Sequence, residues 1–252
     1  MIVRAIGIPL ACYPYSSTSR IVHWLTRHHG KISTLLKGAL RPKSPFLGEY
    51  ELFSTSELIY FNKRPNALHS AKECAMLQHR EIFRTDWRAM QAASYITALI
   101  NQTTPDEAPH PGLFEFFESL LDSAEEFGHN PRFLYWAELQ FCHYHGHTPN
   151  LESCTLCRSM DRLVFSASSG GVVCSACAKS HQLPYLESPP DILSILRIWQ
   201  QADHPQAAIN TPLSTKQKLV LDTLIAAFLF YHFNIPPELR RTITPEPATL
   251  PS

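Results

Sequence analysis

Cys154-Thr155-Leu156-Cys157 and Cys174-Ser175-Ala176-Cys177 are separated by sixteen residues, 158 to 173. Two residues between cysteines let one tight turn aim both sulfurs at a single point. Two such turns supply the four corners of a tetrahedral Zn²⁺ site, with thiolates about 2.3 Å from the metal. Gly170-Gly171, just ahead of the second pair, predicts a short hairpin that brings the second turn back opposite the first. Disulfides are rare in intracellular chains, and a redox Cys-x-x-Cys needs one pair beside a βαβ pattern. Four unrelated buried thiols do not account for the spacing. We therefore expect a zinc ribbon over 147–180, with Cys154, Cys157, Cys174 and Cys177 as structural ligands. The metal's task there is to hold a hairpin too small to bury a core of its own.

Outward from the ribbon the apolar residues recur at helical period. Leu113, Phe116, Phe117, Leu120, Ala124 and Phe127 form one stripe, stopped by Gly128. Its other face carries Glu115, Glu118, Asp122, Glu125 and Glu126, which reads as a solvated surface. Asn130 and Pro131 open a helix that buries Phe133, Ala137, Phe141 and Tyr144. Leu68, Ala71, Ala75 and Leu77 mark an earlier helix, and Ala89 to Ile100 another, capped by Thr85 or Asp86. After the ribbon, Ile192 to Trp199 make a fifth helix. Lys216 to Phe233, apolar nearly all round, is a sixth and central one. This predicts a helical domain over 65–146 and 181–236, then a flexible, proline-rich tail over 237–252.

Before residue 64 the pattern is that of strands. Ile2 to Leu10, Arg20 to Thr26, Lys31 to Ala39, Tyr50 to Phe53 and Glu57 to Phe61 are short and divided by turn residues. Five strands in about sixty residues, with no crossover helix, predict a small closed barrel of the OB-fold type over 1–64. Pro9 lacks a ladder donor and implies an edge or a bulge in the first strand. The fold class is thus α+β and multidomain: barrel, helical domain, inserted ribbon.

Total charge is zero with neutral histidines, but its distribution is uneven. Residues 1 to 48 hold Arg4, Arg20, Arg27, Lys31, Lys37, Arg41 and Lys43 and no acid, which is +7 there and −7 in the remainder. Cations on a small barrel make a track for a phosphate backbone, and Trp24, Tyr13, Tyr15 and Phe46 are candidate platforms for unpaired bases. A solvated basic surface over ordinary core aromatics is the competing reading. Five cations on single-stranded phosphates would give a log–log salt slope near −3.5, from roughly −0.7 each.

No signal peptide is visible, and the longest apolar run, Leu224 to Tyr231, is far short of the ~20 residues a membrane span needs. We expect a cytoplasmic protein that meets no membrane. His79-Arg80-Glu81 with Cys154 and Cys157 imitates a zinc-deaminase signature. A second cysteine pair closes that site to water, however, and Ser153 stands where the signature has proline. No phosphate loop, nucleophile elbow or carboxylate pair stands out, so we expect no enzyme.

Arg20-Ile21-Val22 through Thr26-Arg27-His28-His29-Gly30-Lys31-Ile32, followed by Lys37-Gly38-Ala39-Leu40-Arg41-Pro42-Lys43-Ser44, resembles the N-terminal signature of the bacterial DNA repair protein RecO family. The two cysteine pairs resemble that family's ribbon. The resemblance implies a recombination mediator of the RecF pathway, associated with the nucleoid. Such a protein binds single- and double-stranded DNA, anneals complementary strands and helps load recombinase on protein-coated single strands. It also implies RecR, single-strand DNA-binding protein and, indirectly, the RecA filament as partners. Carried over by motif, Arg20, Arg27, Lys31, Lys37, Arg41 and Lys43 become DNA contacts. Pro9, Pro14 and Thr18-Ser19 depart from the pattern. The alternative is a protein adaptor in transcription or translation with little affinity for bare DNA.

Overall fold

The computed structural model describes residues 1–64 and 67–241, and the chain divides between Glu126 and Phe127 into two compact units. The first unit begins with β1 (Ile2–Pro14), β2 (Arg20–Thr26), β3 (Gly30–Leu36), β4 (Thr55–Phe61) and β5 (His69–Gln78). These strands close into a barrel in the order β1-β2-β3-β5-β4. Strand β1 is long enough to serve two neighbours. Ile2 to Gly7 pair with β4, and Gly7 to Pro14 pair with β2. The register of the second ladder slips between Pro9 and Ala11, the bulge that Pro9 implies.

Two strand expectations need correction. Tyr50 to Phe53 is a turn, with Phe53 at φ 69 and its ring buried. The fifth strand is instead His69–Gln78, where a helix is expected, so the barrel runs past residue 64 to Gln78. Ala71, Cys74 and Ala75 are small enough to satisfy either period. The choice is tertiary, because the gap between β3 and β4 needs a strand: Thr34 pairs in parallel with His69, and Tyr60 pairs with Ala71. His79 accordingly follows a strand, not a helix.

The barrel interior holds Ala5, Val22, Trp24, Ile32, Leu36, Phe46, Leu58 and Tyr60. Trp24 is completely buried, and its indole N–H donates to Thr34 Oγ1 at 2.8 Å. Helix α1 (Ile82–Thr85), α2 (Trp87–Thr103) and α3 (Leu113–Phe127) follow. Asp86 caps α2, accepting from the Arg88 and Ala89 amides at 2.8 and 3.1 Å. The acidic face of α3 is not simply solvated. Asp122 receives the buried Arg80 guanidinium at 2.6 and 3.0 Å, while Arg80 Nη1 donates to the Phe53 carbonyl at 2.6 Å.

The second unit contains α4 (Arg132–Tyr144), the hairpin β6 (Leu163–Ser166) and β7 (Gly171–Cys174), α5 (Ser175–Ser180), α6 (Pro190–Gln201), α7 (Gln206–Asn210), α8 (Thr215–Phe233) and α9 (Pro237–Arg241). Asn130 Oδ1 accepts from the Arg132 amide at 3.0 Å, and Ser214 with Gln217 forms a capping box on α8. Helix α8 buries Leu221, Leu224, Ile225, Phe228 and Leu229 but leaves Leu219, Phe230 and Tyr231 exposed. It lines the core with one face and is not enclosed on all sides. The expected tail starts too early, because α9 is ordered by Arg240. Its guanidinium is buried and meets Glu138 at 2.6 and 3.0 Å and Asp222 at 2.7 Å. Residues 242–252 of that expected tail lie outside the described residues.

Candidate nucleic-acid interface and metal centre

The two cysteine turns converge. The four sulfurs of Cys154, Cys157, Cys174 and Cys177 all lie within 4.8 Å of one another. The Cys157–Cys174 separation is 3.7 Å, close to the edge of about 3.8 Å that a tetrahedron with arms of about 2.3 Å requires. The local chain explains the convergence. Arg158 at φ 64 turns the first pair back, its amide donating to the Cys154 carbonyl at 2.9 Å. Strand β7 delivers Cys174, which caps α5, and Cys177 lies on that helix's first turn. Gly171 lets the Asn150 backbone lie against the hairpin, since a Cβ there would sit 2.1 Å from the Asn150 oxygen.

Burial opposes ionisation of Cys154, but backbone groups of Cys174, Cys157 and Leu156 outweigh it and bring its pKa to about 6. Cys177 is pushed up to about 12, chiefly by hydrogen bonding with Cys174 and Cys157. Without a cation one sulfur ionises at its neighbours' expense; a divalent ion removes the conflict, and the donor set fits one. The nearby histidines are occupied otherwise. His145 Nδ1 lies 2.9 Å from the Phe141 carbonyl oxygen, and His147 packs on His232 with ring centroids 4.9 Å apart.

The six basic residues singled out in the sequence fall into two groups at opposite ends of β2 and β3. Arg20 opens β2 opposite Leu36, the last residue of β3. Lys37, Arg41 and Lys43 follow in the exposed turns after β3. That segment is tied to the β1–β2 loop: the Leu40 amide donates to the Thr18 carbonyl at 3.0 Å, and the Gly38 amide to Ser19 Oγ at 3.1 Å. Tyr13, near the end of β1, and Tyr15, on that loop, are 48% and 58% exposed. Among the described residues none of Arg20, Lys37, Arg41 and Lys43 is ion-paired. Of the four aromatic platforms expected, two are corrected. Trp24 and Phe46, at 0% and 4% exposure, are barrel core and present no face to a base.

Arg27 and Lys31 flank the hairpin at the other end, roughly 20 Å away along strands that rise about 3.3 Å per residue. Both are engaged. Arg27 lies 3.1 Å from Glu115 and 3.3 Å from Glu118, with its guanidinium 4.6 Å from the Phe114 ring centroid. Lys31 Nζ lies 3.3 Å from Asp106 and donates to the Asn101 carbonyl at 3.0 Å. Glu115 and Glu118, expected to face water, instead cover this end. Helical period marks them as one face but gives no sign of what that face meets.

A small closed barrel with an unpaired cationic end, followed by a helical unit with a four-cysteine centre, defines a two-part class of protein. Residues 1–80 match the family model Recombination protein O N terminal, and residues 84–241 match Recombination protein O C terminal. The chain is 32% identical over 213 residues to the DNA repair protein RecO of Rhodopirellula baltica, covering 81% of this chain and 77% of that one. It is 30% identical over 227 residues to its counterpart in Halalkalibacterium halodurans, covering 89% and 87%. In Bacillus subtilis the figure is 27% over 228 residues, again with 89% and 87% covered. The chain belongs to the RecO family of DNA repair proteins.

Proposed function

We propose that this chain is a recombination mediator whose barrel binds single- and double-stranded DNA, anneals complementary strands and helps load recombinase onto protein-coated single strands. In this reading RecR, single-strand DNA-binding protein and, indirectly, the RecA filament are its partners. The strand order, closing β4 onto β1, supports an OB-fold, whose second and third strands and first loop form the usual oligonucleotide face. The observation that carries the reading is the open end of the barrel: Arg20, Lys37, Arg41 and Lys43 without acid partners, beside exposed Tyr13 and Tyr15. Phosphates neutralised there lower the repulsion between two strands, and the tyrosines offer faces to unpaired bases. The four cysteines hold Zn²⁺ as a structural ion, because four thiolates leave no open position for a reacting water.

Arg27 and Lys31 contribute less in the resting structure, since acids already neutralise them. Four cations without acid partners among the described residues, on single-stranded phosphates, give a salt slope of about −2.8, from roughly −0.7 each. The test is annealing of complementary oligonucleotides by the metal-loaded chain carrying Lys37→Glu, Arg41→Glu and Lys43→Glu. Annealing is lost while the folded signal stays. Unchanged annealing by that variant overturns the reading.

A further inference from the structure

Arg27 and Lys31 carry the same chemistry as the open end, yet the chain itself supplies their anions. The segment between α2 and α3 lies along the backbone of β3. The Glu107 amide donates to the Lys31 carbonyl at 2.8 Å, and Lys31 and Asp106 form a parallel bridge. The edge is available because β3 meets β5 only at Thr34 and Leu35, leaving the residues nearer the hairpin without a strand on that side. Gly30, at φ 67, permits the approach: a Cβ there would sit 2.8 Å from the Ala108 backbone. Asp106 and Glu115 are mostly exposed, so their ion pairs are open to salt and to competing anions. Midway along β2, His23 stands edge-on to Tyr13 at 5.2 Å and feels the charges of Asp106 and Lys31. One face thus joins the open end to the covered one.

We propose that the acidic stretch from Asp106 to Glu118 is an internal competitor for nucleic acid. It occupies Arg27 and Lys31 as a phosphate backbone would, and a bound strand that displaces it extends its track from the open end of the barrel to the covered end. The inference rests on the DNA reading of the barrel. The Arg27 and Lys31 side chains are themselves only 31% and 14% exposed, but the carboxylates they hold are the same hard anions a phosphodiester presents. Their replacement by phosphates exchanges like for like, so the covering costs little to undo once a strand is anchored next to it. The barrel therefore has a short resting track and a longer engaged one.

The test uses the full metal-loaded chain and a fluorescent single-stranded oligonucleotide, with anisotropy followed against salt. In the variant Asp106→Asn, Glu115→Gln, Glu118→Gln the oligonucleotide binds several-fold tighter at each salt concentration, because no carboxylate competes for Arg27 and Lys31, while the log–log slope stays near that of the unaltered chain, since the same phosphates are neutralised in both complexes. Adding Arg27→Gln and Lys31→Gln abolishes that gain. A gain that persists without the two cations is a general effect of lost negative charge and overturns the proposal. So does unchanged affinity in the triple variant beside normal binding by the unaltered chain. Absence of binding by the unaltered chain at any salt overturns the DNA reading itself, and the proposal with it. A second measurement needs no variant. Hydrogen exchange at the Glu107 amide quickens when the unaltered chain is saturated with the oligonucleotide, and continued protection of that amide overturns the proposal.

Discussion

The two ends of β2 and β3 begin from similar sequence and arrive at different chemistry. Each presents two or more cations within a few residues of a turn. At the open end the neighbours are serines, tyrosines and prolines; among the described residues no acid pairs with these charges, and Arg20 donates only to the Ser16 and Ser19 carbonyls. At the covered end Asp106, Glu115 and Glu118 come from more than seventy residues downstream and neutralise Arg27 and Lys31. A basic run in a sequence therefore counts charges without telling which are available. Availability is decided by what the rest of the unit folds against them.

The comparison yields a graded set of expectations. The largest effect is a control: Cys174→Ser, or removal of the metal by a chelator, forfeits apparent binding on the order of 10–16 kcal/mol and unfolds the ribbon. Limited proteolysis then cuts within 147–180 while oligonucleotide affinity at the open end is retained, because every contact proposed there lies within residues 13–43. Next, Lys37→Glu with Arg41→Glu and Lys43→Glu makes the salt slope shallower by about 2.1, three phosphates at roughly 0.7 each. Tyr15→Ala weakens single-strand binding by about 1–3 kcal/mol, the usual worth of one stacked base, and leaves duplex affinity nearly unchanged. At the covered end Arg27→Gln with Lys31→Gln barely alters affinity in the intact chain. It lowers stability to urea by about 1–3 kcal/mol, since the Lys31 side chain is only 14% exposed and gives up its bond to the Asn101 carbonyl as well. A loss of affinity as large as that of the open-end triple variant would erase the distinction between the ends.

The smallest expectation concerns pH. His69 is buried against Tyr60; its Nδ1 accepts from the Lys63 amide at 3.3 Å, and its Nε2 lies 3.2 Å from Glu107. Burial lowers its pKa, against the raising effect of Glu107. The unfolded chain then takes up the proton first as pH falls through about 6.5. Stability from the neutral ring is complete above that value and is lost as pH descends toward the folded pKa. His69→Gln flattens this part of the profile in urea titrations between about pH 7 and 5.

Much of the architecture was legible in short-range pattern. Arg20 to Thr26 is short, rich in strand-forming residues and bounded by turn residues, which marked β2, and the bulge at Pro9 follows from a missing donor. The cysteine spacing placed four sulfurs around one point because two turns and a hairpin are local structures. What escaped was set at long range. His69 to Gln78 has small residues compatible with two periods, and only the open seam between β3 and β4 selects the strand. Trp24 and Phe46 carry no local mark of pointing inward. The acids over Arg27 were visible as a helix face, but their target was not, since pairing across such a distance leaves no spacing to read.

Arg240 and Glu138 are separated by 102 positions and meet in a buried ion pair. A chain clipped ahead of Pro237 is thus not a shorter copy of the same molecule. It keeps a carboxylate sunk in helix α4 with its guanidinium partner gone, a defect that typically costs about 3–5 kcal/mol. Protein-quality machinery would meet such a fragment as a loosened helical unit, even though every cysteine and every barrel residue is still present.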